Sequence, residues 1–62
     1  MMYSVAVYEY YNTCKTRYTR NKDEAVEWFR NAVGTCVRVI MYHGCYIVGR
    51  WEDYNEASAV DR

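Results

Sequence analysis

Apolar and polar residues alternate with a period of two along the first part of the chain. The stretch MYSVAVYEYY is rich in β-branched and aromatic residues, and its alternation predicts a first strand. The stretch CKTRYTR predicts a second strand after a two-residue turn at positions 12 and 13. This register places Tyr8 opposite Arg17 and Tyr10 opposite Lys15, so aromatic and basic side chains are expected on one face of the hairpin.

The spacing of apolar residues then changes to that of a helix. In NKDEAVEWFRNAVG, Asn21 is a predicted N-cap, Glu24 three residues later resembles the far half of a capping box, and Gly34 is placed to end the helix. The apolar residues form a single stripe. Its members are Ala25, Val26, Phe29, Ala32 and Val33, with Trp28 at its edge.

The stretch CVRVIMYHGCYIVGRW predicts a second hairpin, and apolar residues occupy both of its faces. Strands from Cys36 to Tyr42 and from Cys45 to about Glu52 flank a turn at His43 and Gly44. This register pairs Val39 with Val48 and Met41 with Tyr46 on one face. On the other face it pairs Ile40 with Ile47, Tyr42 with Cys45 and Arg38 with Gly49, and it brings Trp51 near Cys36.

These elements predict an α+β fold of ββαββ type, in which one amphipathic helix packs on one face of a four-stranded, mainly antiparallel sheet. We expect a single domain over residues 1–52 and an acidic C-terminal tail over residues 53–62. The pattern leaves the strand order open. The residues expected beneath the helix are Val5, Val7, Tyr18, Val37, Val39, Met41 and Val48.

One helix covers only one face, so the other face of the sheet is expected to carry a large apolar patch, which usually marks an interface. The alternatives are a tail that folds over the patch and a homodimer formed through the sheet. Tyr, Trp and Arg are the usual residues of binding hot spots, so the pattern favours a protein-binding module. The predicted partner-binding residues are Tyr8, Tyr10, Arg17, Arg38, Ile40, Tyr42, Ile47 and Trp51, and Ala6 is expected on the same face.

Binding of RNA or single-stranded DNA is an alternative function. Exposed aromatic side chains can stack on bases while neighbouring cations hold phosphates. The residues for this role are Tyr8, Tyr10, Lys15, Arg17 and Arg20. The formal net charge of zero argues against tight binding, because neutralised phosphates supply most of the affinity.

The sequence offers little that could carry catalysis, so we expect a protein that is not an enzyme and needs no cofactor. The single histidine, His43, is expected in a turn, and its neighbour Cys45 points to the opposite face of a tight hairpin. With Cys14 and Cys36, these residues lack the close CxxC spacing of structural zinc sites, so no metal site is predicted.

An odd number of cysteines without a CxxC pair predicts free thiols in a reducing compartment. No signal peptide is recognised, and no apolar run reaches the roughly 18 residues that a membrane span needs. The expected location is therefore the cytoplasm, with no membrane partner.

The hairpin MYSVAVYEYYNTCKTRYT, the helix DEAVEWFRNAV and the hairpin CVRVIMYHGCYIVGRWED together cover nearly all of the chain. In size and layout this arrangement resembles the small accessory proteins that tailed phages and other mobile elements encode. The resemblance implies an inhibitor that binds and blocks one host protein in the host cytoplasm, including restriction and CRISPR machinery. Many such proteins imitate DNA with dense acidic charge. This chain is neutral, so the resemblance implies an apolar binding surface instead.

Overall fold

A computed structural model describes residues 1–10 and 12–53, which form four strands and one helix. The elements are β1 (Tyr3–Tyr10), β2 (Thr13–Thr19), α1 (Lys22–Ala32), β3 (Arg38–His43) and β4 (Tyr46–Glu52). All strand pairs are antiparallel, and the order across the sheet is β2-β1-β3-β4. The helix packs against this sheet, which confirms the predicted ββαββ fold. Apart from Asp53, the predicted acidic tail lies outside the described residues.

The N-terminus of α1 is held by side chains that satisfy its free backbone N–H groups. The side-chain Oδ1 atom of Asn21 accepts hydrogen bonds from the backbone N–H groups of Asp23 (2.9 Å) and Glu24 (3.2 Å), which confirms the predicted N-cap. Glu24 does not complete a capping box. Its carboxylate instead accepts a 2.6 Å hydrogen bond from the Thr19 hydroxyl, whose oxygen accepts from the Asn21 N–H. At the other end, Gly34 has a φ of 91°, a value that glycine adopts without strain.

The core lies between α1 and one face of the sheet, and it is small. Its buried members are Val5, Ala25, Val39 and Met41, which are at most 9% exposed. Partly buried apolar residues surround this group and pack against it: Tyr3, Val7, Val26, Trp28, Phe29, Ala32, Cys36 and Trp51. Fully burying a valine side chain contributes only about 1.5–3 kcal/mol, so the stability of the domain depends strongly on the surrounding residues.

The register of the first hairpin differs from the predicted one. Val5 lies opposite Arg17 and Val7 opposite Lys15, and the register shifts by one residue between Val7 and Tyr10. A β-bulge of this kind sets two residues of one strand against one of its partner. Since side chains alternate with a period of two, the shift reverses the faces of β2 beyond it. The predicted placement of Tyr18 beneath the helix is therefore wrong.

The second hairpin contains a comparable shift. Its turn comprises residues 44 and 45, with Gly44 at a φ of 66°, and Tyr42 lies opposite Ile47. The pairing then skips Val48, so Met41 lies opposite Gly49. The predicted pairing of Val39 with Val48 is wrong, and Val48 is 50% exposed. Val37, also expected beneath the helix, precedes β3 and is only half-buried.

Replacing the N-cap tests the structure of the helix start. We expect Asn21→Ala to lower the free energy of unfolding by about 1 kcal/mol, because it removes the acceptor of two backbone hydrogen bonds. Urea denaturation of both proteins measures the difference. Asn31→Ala, at an exposed position in the last turn of α1, is the matched control and should cause no loss. Equal stability of Asn21→Ala and the wild type would contradict the cap.

Candidate interaction surface

The sheet face opposite α1, called the open face below, is organised in rows that run across the strands. Residues directly opposite each other in an antiparallel pair lie on the same face, so the register defines each row. The first row contains Tyr18, Ser4, Tyr42 and Ile47. The second contains Thr16, Ala6, Ile40 and Arg50, and the third contains Tyr8, Arg38 and Glu52.

The third row is held together by contacts within the domain. The Arg38 Nε atom lies 2.7 Å from the Glu52 Oε2 atom, and the Arg38 guanidinium lies 5.1 Å from the centre of the Tyr8 ring. Because the buried Nε has no aligned hydrogen-bond acceptor within the described ranges, we regard the contact with Glu52 as an ion pair. The Arg38 cation thus lies between a carboxylate and an aromatic ring, which links β1, β3 and β4.

The phenol of Tyr8 is also engaged within the domain. A hydrogen bond with Cys14 raises the pKa of Tyr8 above its ordinary value, and the charge of a Cys14 thiolate and burial act in the same direction. The nearby Arg38 cation lowers the pKa of Tyr8, but its effect is the smallest of these influences. The phenol is therefore neutral at physiological pH.

The second row contains a buried residue although α1 does not cover it. Ala6 is only 4% exposed, and it lies between Thr16 of β2 and Ile40 of β3. Ile40, predicted to be a contact residue, is itself half-buried. The middle of the open face is therefore partly shielded from solvent.

The exposed apolar surface lies at the outer strands. Tyr18 is 66% exposed at one end of the first row, and Ile47 is 52% exposed at the other. Two neighbours on β4 extend this surface around the sheet edge, since Tyr46 is 71% and Val48 50% exposed. We call the set formed by Tyr42, Tyr46, Ile47, Val48 and Arg50 the β4 corner. Tyrosine and arginine are typical of binding hot spots.

Two residues predicted for the open face lie on the helix side instead. The Arg17 guanidinium lies 4.0 Å from the centre of the Trp28 ring of α1, in a cation–π contact. Trp51 lies opposite Val39 and packs against the core. Both placements were wrong because each position lies beyond a bulge, which a count of alternating residues does not reveal.

The bulges also explain which surface residues the sequence analysis missed. Tyr18 was expected beneath the helix, and Arg50 received no role, although both lie on the open face. Tyr46 was expected to pair with Met41 and instead lies opposite His43, on the expected side of the sheet; its exposure follows from its place at the end of β4 and not from a bulge. The signal that could have found them is the surplus of apolar residues in YIVG, where strict alternation fails.

The residues considered for nucleic-acid binding do not form one platform. Tyr8 lies on the open face, whereas Lys15 and Arg17 lie opposite Val7 and Val5 on the helix side. The Lys15 Nζ atom is 3.6 Å from a Glu9 carboxylate oxygen, and both side chains are well exposed. The other two residues of the set, Tyr10 and Arg20, are exposed near opposite ends of β2. The expected alternation of rings and cations on one face is therefore absent.

The residues with potential chemistry are dispersed. Cys14 and Cys45 are exposed, Cys36 is half-buried, and all three are free thiols. The His43 ring stacks on Tyr3, with ring centres 4.2 Å apart and planes within 4°. Across residues 1–10 and 12–53, no three potential metal ligands come together, and no helix has the length and apolarity to cross a bilayer.

Searches of protein-family models, curated proteins and solved structures found no match to this chain. The argument for function therefore depends on the geometry of the described residues. The resemblance to phage accessory proteins stays a prediction.

The observed register of β4 can be tested by comparing two large apolar residues. We expect Trp51→Ala to lower the free energy of unfolding by roughly 2–4 kcal/mol, since Trp51 packs against the core but is not fully buried. Ile47→Ala should change it by less than about 1 kcal/mol, because Ile47 is 52% exposed. Chemical denaturation measures both values. The register is wrong if Ile47→Ala proves the more damaging variant.

Proposed function

We propose that this domain is a protein-binding module that uses the open face, with its strongest contacts at the β4 corner. The observation that carries the proposal is a run of exposed residues at the sheet edge: Ile47 on the open face, Val48 without a partner in β3, and Tyr46 on the opposite side. This run lies on a sheet strand fixed by pairing to β3. Side chains presented by a rigid strand lose little freedom on binding, which favours affinity.

The size of the exposed surface supports this proposal. Burying one large apolar side chain at an interface returns about 1.5–3 kcal/mol, and association costs at least about 4 kcal/mol before any affinity appears. A single exposed residue is therefore insufficient, whereas several adjacent ones can offset the cost. Ile47, Val48 and the half-buried Tyr42 provide such a group, and Tyr46 adds exposed surface around the sheet edge. Tyr18 lies at the far end of the first row, beyond Ser4.

The proposal extends to an inhibitory role. The resemblance in layout to phage accessory proteins supports a host protein as partner, bound in the host cytoplasm and blocked by occupation of its working surface. No three potential metal ligands come together among the described residues, which is compatible with a role that requires only binding.

Exchange of an exposed apolar residue for a charged one tests the proposal. We expect Ile47→Glu to abolish recovery of a specific protein from nuclease-treated bacterial lysate, because it places a carboxylate within the apolar surface. The fold should survive, since Ile47 is 52% exposed, whereas Val39→Glu at a fully buried position should unfold the domain. Asn31→Glu on the exposed side of α1 is the control and should retain the partner. Inhibition is then measured as loss of the recovered protein's activity on addition of the wild type.

Three other results would contradict this function. Equal recovery by the wild type and Ile47→Glu would exclude the β4 corner. Recovery that disappears with nuclease would favour the nucleic-acid alternative. A light-scattering mass of twice the 7.4 kDa of the chain, reduced to one chain by Ile47→Glu, would assign the surface to a homodimer.

A further inference from the structure

We propose that the partner presents an aspartate or glutamate side chain to Arg50, surrounded by apolar groups. This inference rests on the proposed function, because it specifies the chemistry of the surface that the open face binds. It starts from the charges of that face. In the described chain, the open face carries three charged residues, Arg38, Arg50 and Glu52.

Only one of these charges lacks an internal partner. Arg38 is paired with Glu52 at 2.7 Å and stacks on Tyr8. Arg50 is exposed, and no carboxylate within residues 1–10 and 12–53 forms an ion pair with it. Within the described residues, the open face therefore combines apolar groups with one positive charge that has no ion-pair partner.

Because Arg50 lies among the apolar residues, a partner that binds them also has to accommodate its charge. Arg50 lies directly opposite Ile40, and Ile47 and Val48 precede it on the same strand. A partner that buries these apolar residues must also remove water from the guanidinium. An unpaired guanidinium in an interface costs more than one neighbouring apolar contact returns, so the partner has to supply an anion. A carboxylate matches the planar fork of arginine in geometry as well as in charge.

The surroundings of Arg50 favour a protein carboxylate over a nucleic-acid phosphate. Phosphate binding sites gather several cations, but Lys15 and Arg17 lie on the helix side, and the chain has no net charge. The neighbours of Arg50 on the open face are instead the apolar Ile40 and Ile47 and the carboxylate of Glu52, which is already paired with Arg38. An acidic residue within an apolar protein surface is complementary to both features.

The test uses a phage-displayed library of random peptides, selected on the wild-type protein and counter-selected on Ile47→Glu. We expect the enriched peptides to carry Asp or Glu flanked by apolar residues. Their affinity, measured by fluorescence polarisation, should fall about tenfold or more for Arg50→Ala. Replacing the acidic peptide residue by lysine should weaken binding to the wild type and restore binding to Arg50→Glu. Arg30→Glu on the exposed side of α1 is the matched control and should bind like the wild type.

The outcomes separate this inference from the proposed function. Peptides that depend on Ile47 but lack acidic residues, or that bind Arg50→Ala equally well, would contradict the proposed carboxylate. They would leave the proposed binding surface unchallenged. A selection in which counter-selection on Ile47→Glu leaves no enriched peptide would overturn both. If a mixed-sequence single-stranded oligonucleotide displaced the peptides at submicromolar concentration, the group that binds Arg50 would be a phosphate and the carboxylate proposal would be wrong.

Discussion

One extra residue in each hairpin determines which side chains this domain buries and which it presents. The first bulge lies between Val7 and Tyr10, and the second leaves Val48 without a partner in β3. Because a strand exposes alternate residues on opposite faces, a shift by one residue reverses the face of every position beyond it. Trp51 consequently joins the helix side, and Arg50 joins the open face.

The same shifts compensate for a small core. Among the described residues, four form the buried cluster between α1 and the sheet. The outer strands extend this layer, with Trp51 of β4 packing against the core and Arg17 of β2 stacking on Trp28. Without the bulges, these large side chains would be exposed on the open face. The domain would then lose apolar contacts on the helix side of the sheet, where its core is already small.

The open face divides into a part that serves the fold and a part that remains exposed. Tyr8, Arg38 and Glu52 bind one another, and Ala6 is buried between its neighbours on adjacent strands. The apolar surface at the β4 corner has no such covering within the described residues, and Arg50 adds a charge to it. Among residues 1–10 and 12–53, this area carries one cation without an ion pair, which is the basis for proposing a protein partner with complementary apolar and acidic groups.

The sequence by itself determined the elements, their order and the centre of the core. Helical spacing and the Asn21 cap define α1, and simple alternation assigns Val5 and Val39 to its side of the sheet. Only the tertiary structure decided the strand order and the faces of the outer strands. These depend on backbone hydrogen bonds between distant segments and on bulges, which leave the local pattern of residue types almost unchanged. Strict alternation therefore predicted the inner strands well and failed at Arg17 and Trp51.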